Sequence, residues 1–240
     1  MIRAVLFDLM GTLLVRNHTS DADPSANFYR VMCDAGLTLS EQEFWAVLRD
    51  TPPLAASGPT TPFEDRIIRV CATAGLSITS SLAAQLASAV CGCSNRVVGL
   101  DLEAVSAVTA ARRFGPVGLV TNYDHPPNIH YLLDRERLRD YFSVVVISGE
   151  IGVWKPDPGI LRAALDYLSV HPEEAVYVGD SDVDIQAANA AGMHSILIRR
   201  QGGPSDPLLD PYAEESQARP TSVIEKLSEL HEALQGLSPG

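Results

Sequence analysis

The stretch Arg3-Ala4-Val5-Leu6-Phe7-Asp8-Leu9-Met10-Gly11-Thr12-Leu13-Leu14 sets the fold class. An apolar run of strand length ends on a carboxylate, and a Gly-Thr turn follows. The run shows no polar alternation, the pattern of a strand covered on both faces in a parallel sheet. Outward from it, four more runs of this kind recur at Pro116–Thr121, Phe142–Ser148, Ala175–Gly179 and His194–Ile198. Each precedes a helix-like stretch, and this alternation predicts an α/β protein whose parallel sheet has five or more strands. Asp157 and Pro158 suit the N-cap and first turn of one such helix. Val223, Leu227, Leu230 and Leu234 share one face of a terminal helix predicted over Ser222–Leu234.

The first two runs stand about a hundred residues apart, far beyond the dozen or so that a crossover needs. Helical patterns fill the interval at Asn27–Ala35, Ser40–Arg49, Phe63–Ala74, Ser80–Val90 and Asp101–Phe114, with a Pro-, Ala-, Ser- and Thr-rich loop over Thr51–Pro62. The expected organisation is a core of residues 1–14 and 101–240 interrupted by a helical insert at 15–100.

Of 240 residues, 30 are acidic and 18 basic, for a net charge of −12. Such a chain offers no basic footprint for nucleic acid or an anionic membrane surface. No apolar run approaches the roughly 18 residues of a membrane span. The first residues lack the cationic and long apolar regions of a secretory leader, so a cytoplasmic location is expected. Lysine is confined to Lys155 and Lys226, against sixteen arginines. Cys33, Cys71, Cys91 and Cys93 fall in the insert segment. Cys91-Gly92-Cys93 has no second ligand pair nearby, so these read as free thiols in a reducing compartment rather than a metal site. Trp45 and Trp154 read as packing residues, and Arg49, Arg66 and Arg69 as a solvated helix face.

Four motifs stand at the ends of predicted strands, where open α/β sheets place their ligand sites. They are Phe7–Leu14, Leu119-Val120-Thr121-Asn122, Gly152–Pro158 with Lys155, and Val178-Gly179-Asp180-Ser181-Asp182-Val183-Asp184-Ile185. Singly each is an ordinary turn or strand end; together and in this order they form a constellation.

With these motifs the chain resembles the haloacid dehalogenase-like hydrolase superfamily, in the helical-cap branch of phosphoglycolate phosphatase and 2-haloacid dehalogenase. The resemblance covers about residues 1–14 and 101–235, and the insert matches that branch's cap in position. It implies a Rossmann-like core and a mobile cap. It also implies that Asp8 is the nucleophile, taking a phosphoryl group as an aspartyl phosphate. Thr121 and Asn122, with backbone N–H groups, would hold the phosphoryl oxygens, and Lys155 would neutralise nucleophile and phosphoryl charge. Mg²⁺ would sit on Asp8, Asp180 and the backbone carbonyl of Met10, supported by Asp184; these are the hard oxygen donors Mg²⁺ requires. The expected substrate is a small phosphorylated or anionic molecule.

One position breaks the pattern. The family's first motif has a second aspartate two residues after the nucleophile, which acts as acid and base, and here that position is Met10. A thioether can neither donate nor take up that proton. Dehalogenases of the family carry a tyrosine there but lack the Gly-Asp start of the fourth motif, which is intact here as Gly179-Asp180. Phosphonoacetaldehyde hydrolase uses a cap lysine, and this insert contains none. Three readings stay open. The first is a Mg²⁺-dependent phosphohydrolase whose leaving group needs little protonation, or in which His18, Asp21, Asp124 or His125 stands in for the acid. The second is an enzyme using Asp8 for other chemistry, dehalogenase-like or acid–base. The third is a catalytically weak binding or regulatory protein.

Overall fold

The computed structural model of the chain describes residues 1–16, 23–55, 58–200 and 218–237. Six parallel strands form the main sheet: β1 (Ala4–Phe7), β4 (Val117–Thr121), β5 (Val144–Ile147), β6 (Ala175–Gly179), β7 (His194–Ile198) and β8 (Ser222–Ile224). Their order is β5-β4-β1-β6-β7-β8. β1 is therefore central, with Phe7 paired to Leu119 on one side and to Val178 on the other. The strand order reverses about β1, and the crevice at the carboxyl ends of β1, β4 and β6 is the switch point of the sheet.

Alternation along the strands builds two apolar layers. Val5, Phe7, Leu119 and Val178 face one cluster, which includes residues of α5 (Ala104–Ala111), α6 (Pro126–Arg135) and α10 (Leu230–Gly236). Ala4, Leu6, Val120 and Tyr177 face the other, against α8 (Gly159–Leu168) and α9 (Asp182–Ala191). The small residues Ala187, Ala188 and Ala191 of α9 belong to this second cluster. The short α7 (Ser148–Ile151) follows β5 directly. The expected start of α8 is corrected by one residue: the helix begins at Gly159 with Pro158 at the N-cap position, and Asp157 stands just ahead of it, its carboxylate accepting from the Gly159 N–H at 2.7 Å.

The predicted terminal helix is corrected at its start. Ser222-Val223-Ile224 pairs with Ile196-Leu197-Ile198 as β8, which leaves Val223 exposed and Ile224 buried. The 3.6-residue period holds only beyond it, where Leu227, Leu230 and Leu234 are buried. The free edge of β7 outweighs helical periodicity over those three β-branched or small residues.

Between β1 and β4 the chain forms α1 (Pro24–Asp34), α2 (Glu41–Arg49), α3 (Pro62–Thr73) and α4 (Ser80–Asn95). Ser40 with Glu43 and Thr61 with Glu64 make capping boxes at the starts of α2 and α3. The four helices enclose their own apolar cluster, with Met32, Phe44, Phe63, Ile67, Leu86 and Val90 buried and Trp45 packed at its margin. An antiparallel ribbon of β2 (Leu14–Arg16) and β3 (Val98–Leu100), not anticipated from sequence, pairs the segments that lead into and out of the helices. All four cysteines are free. Among the described residues, no helix is long and apolar enough to cross a membrane.

Candidate active site

Asp8 leaves the end of β1 with its N–H donated to the Val178 carbonyl at 2.9 Å. Its buried carboxylate accepts from the Lys155 ammonium at 2.7 Å. Lys155 is buried too, and its nitrogen also donates to Asp184 Oδ1 at 2.6 Å and to the Tyr177 hydroxyl at 3.0 Å. The backbone at Lys155 is clamped by Asn122: its Oδ1 accepts from Lys155 N at 2.8 Å and its Nδ2 donates to the Lys155 carbonyl at 3.0 Å. The side chain expected on a phosphoryl oxygen is thus engaged with the lysine backbone.

Asp184 is buried in the first turn of α9, not solvated. Its Oδ2 accepts from Ser181 Oγ at 2.7 Å, Ser181 N at 3.0 Å and Asp180 N at 3.1 Å. That close fold needs glycine at 179, where a Cβ would stand 2.4 Å from Asp184 Oδ2. Asp180 accepts from Thr12 Oγ1 at 3.1 Å. Thr121 ends β4, and among the described residues its buried hydroxyl has no hydrogen-bond partner. An orphaned buried hydroxyl costs its full desolvation unless a ligand satisfies it.

One carboxylate oxygen from each of Asp8, Asp180 and Asp184 lies within 4.8 Å of the other two. Burial, chiefly, pushes the Asp8 carboxyl up to about 8; Lys155 pulls it down, and the charges of Asp184 and Asp180 push it up again. Burial alone would lower Lys155, but Asp184 and Asp8 outweigh it and hold the ammonium well above its ordinary range. Two of the three clustered carboxylates, Asp8 and Asp184, therefore share one ammonium, with Asp180 beside them.

Met10 is half-buried and packs against the β1 cluster that includes Leu9 and Leu13. Of the possible stand-ins for an acid, His18 and Asp21 lie outside the described residues. Asp124 and His125 turn to α3. Arg66 Nη1 lies 3.6 Å from Asp124 Oδ2, and His125 Nδ1 is 3.0 Å from Thr61 Oγ1 and 3.8 Å from Glu64 Oε1. Burial raises the Asp124 carboxyl against the pull of Arg66, and lowers His125 against the pull of Glu64. Arg66 corrects the solvated-face expectation: it is buried and donates to the carbonyls of Thr51 at 2.7 Å and Leu48 at 2.8 Å. Arg69 donates to the Pro52 carbonyl, and Arg49 is exposed.

Two residues of the site escape sequence reading. Tyr177 sits inside an apolar run, and the need of a buried tyrosine hydroxyl for a partner is the signal that marks it. Arg200, just past β7, donates to the carbonyls of Gly11 and Thr12 and to Asp101 Oδ2, binding the turn after Asp8 to the segment after β3. No local pattern announces it.

A model of the haloacid dehalogenase-like hydrolase family matches residues 2–192. The chain is 34% identical over 204 residues to glyceraldehyde 3-phosphate phosphatase of Methanopyrus kandleri, covering 83% of this chain and 85% of that one. It is 37% identical over 132 residues to phosphoserine phosphatase of Thermus thermophilus, about half of each chain at 52% and 51%. In fold it is similar to a 2-haloacid dehalogenase from Pseudomonas syringae, with TM-score 0.71, 24% identity, and 99% and 100% of the two chains covered.

Proposed function

The chain belongs to the haloacid dehalogenase-like hydrolase family, and on that premise we propose that it removes a phosphoryl group from a small phosphorylated molecule through Asp8. The observation that carries this reading is the buried Asp8–Lys155–Asp184 chain beside Asp180, at the switch point of the sheet. The phosphatase names of the relatives from Methanopyrus kandleri and Thermus thermophilus support the substrate class. An Asp8 oxygen attacks phosphorus, the bond to the leaving oxygen breaks, and water then releases phosphate from the aspartyl phosphate. Lys155 offsets the charge of the nucleophile, and the unpartnered Thr121 hydroxyl, with backbone N–H groups of the loop that begins at Asn122, takes the phosphoryl oxygens.

The donor set fits Mg²⁺: hard carboxylate oxygens converge, and three carboxylates against one ammonium leave room for a dication. Asp8, Asp180 and the Met10 carbonyl would hold it, with Asp184 fixing Lys155 and the α9 turn behind them. When bound, the ion supplies charge neutralisation at the phosphoryl group.

The insert at residues 15–100 serves in this reading as a cap over the site. Its support is the α3 contact with Asp124 and His125, and Ala55, whose Cβ would lie 3.0 Å from a Cβ at Gly152. Four free thiols accord with a reducing, cytoplasmic setting.

Met10 favours a second reading, non-phosphatase chemistry at Asp8. A screen over phosphate esters, acyl phosphates and anhydrides, with Mg²⁺ and with chelator, separates the two. Mg²⁺-dependent phosphate release that Asp8→Asn abolishes is expected. Failure on every substrate class would leave the second reading in place.

A further inference from the structure

The Lys155 ammonium has three N–H groups and no lone pair, and each proton has an acceptor. These are Asp184 Oδ1 at 2.6 Å, Asp8 Oδ1 at 2.7 Å and the Tyr177 hydroxyl at 3.0 Å. Tyr177 has a single proton of its own, and its shorter contact carries that proton to the Val120 carbonyl at 2.8 Å; Asp184 Oδ1 lies farther off at 3.3 Å. The hydroxyl therefore accepts from the lysine and donates to the backbone of β4, one residue before Thr121.

The ring of Tyr177 needs none of this. It packs in the apolar layer with Leu6, Val120 and Ala188, where phenylalanine would fill the same space. The hydroxyl is what distinguishes the residue, and its partners all belong to the site or its supporting strand.

From these contacts the geometry points to Tyr177 as the positioning residue of Lys155, taking the third ammonium proton and tying it to the β4 backbone so that the cation stays on Asp8. The inference rests on the reading of Asp8 as nucleophile. Two carboxylates alone would leave one ammonium proton unpaired in a buried site, at the cost of its desolvation. With all three protons placed, Lys155 is committed to the nucleophile. The phosphoryl oxygens fall to Thr121, whose hydroxyl is unpaired. Tyr177 itself touches no substrate.

The chain's two lysines make a direct test possible. In ¹⁵N-labelled protein, a buried and hydrogen-bonded ammonium exchanges slowly enough to give a side-chain ¹⁵N–¹H signal, whereas the exposed Lys226 gives none. One such signal is expected, and Lys155→Met removes it. Tyr177→Phe should speed its proton exchange and lower kcat on p-nitrophenyl phosphate with Mg²⁺ by about tenfold, the worth of one net hydrogen bond. KM should hold within about twofold, because substrate binding is not what the hydroxyl serves. Unchanged exchange in Tyr177→Phe, or an unchanged kcat, or a loss carried by KM, overturns the inference. A slow ammonium signal in a chain that hydrolyses no phosphate overturns the phosphatase reading instead, and the exchange comparison then decides the role of Tyr177 alone. Should Tyr177→Phe not fold, the unsubstituted chain decides: cross-relaxation between the Tyr177 hydroxyl proton and the ammonium supports the inference, and its absence overturns it.

Discussion

Gly11 lies against Asp180 so closely that a Cβ at position 11 would stand 2.2 Å from Asp180 Oδ2. The glycine also has φ +84°, a conformation that costs an L-residue about 1–2 kcal/mol. Arg200 holds the Gly11 carbonyl, so the turn has no easy way to withdraw. Gly11→Ala should therefore push Asp180 out of the carboxylate group. Mg²⁺ affinity, measured by calorimetric titration, is expected to fall at least about tenfold, the effect of losing one well-placed ligand contact. Retained affinity would mean that Asp180 does not hold the ion.

The burial of Asp8, with the charges of Asp184 and Asp180 beside it, predicts a pH dependence. The folded-state value of Asp8, about 8, lies above the ordinary unfolded value of about 3.9. The native protein then binds more protons between these limits, and stability falls as pH rises through that window. Mg²⁺ lowers the proton affinity of the carboxylate and should flatten the slope. Thermal unfolding from pH 5 to 8 is expected to show a decline with chelator, a smaller decline with Mg²⁺, and its loss in Asp8→Asn. Identical slopes in the parent and Asp8→Asn would remove Asp8 as the source.

Arg66 joins the insert to the loop after β4, its guanidinium shared among Leu48, Thr51 and Asp124. Arg66→Met should cost about 3 kcal/mol in urea unfolding, since it leaves the Asp124 carboxylate buried without its cation. Adding Asp124→Leu should restore part of that loss, because the stranded charge goes with it. Strictly additive losses would show that the pair does not couple.

Asp8, Thr121, Lys155 and Asp180 are legible in the sequence because each follows an apolar run or stands in a short turn, where a polar residue is conspicuous. The parallel topology then brings them together: β1 lies between β4 and β6, and all three end at one edge. Tyr177 is hidden for the opposite reason, being one more large residue in a strand pattern. Arg200 binds backbone carbonyls of Gly11 and Thr12 far off in sequence, so only the fold reveals its partners. The β2–β3 ribbon has three residues in each strand, too few for a period of two to show. The spacing of Val223 to Leu234 misleads because apolar residues on an edge strand and on the following helix happen to continue one helical period.

Met10 separates the readings of the site. A half-buried thioether stands where the resemblance places an acid and base, and Asp124 and His125 spend their side chains on α3. If the chain is a phosphatase short of that one group, Met10→Asp should raise turnover of alkyl phosphate esters by about 10²–10⁴-fold, the usual worth of general acid–base catalysis. Acyl phosphates, whose leaving groups need no proton, should gain far less. The substitution removes partly buried apolar surface, so a stability loss of about 1 kcal/mol is expected beside the gain. A new carboxylate near Asp8 also adds negative charge, which makes the variant lean more heavily on Mg²⁺. An enzyme with other chemistry at Asp8 predicts the reverse: its own reaction weakens and ester hydrolysis stays at background. A folded, Mg²⁺-binding Met10→Asp variant that hydrolyses no ester, in a screen that a related phosphatase passes, would exclude the phosphatase reading.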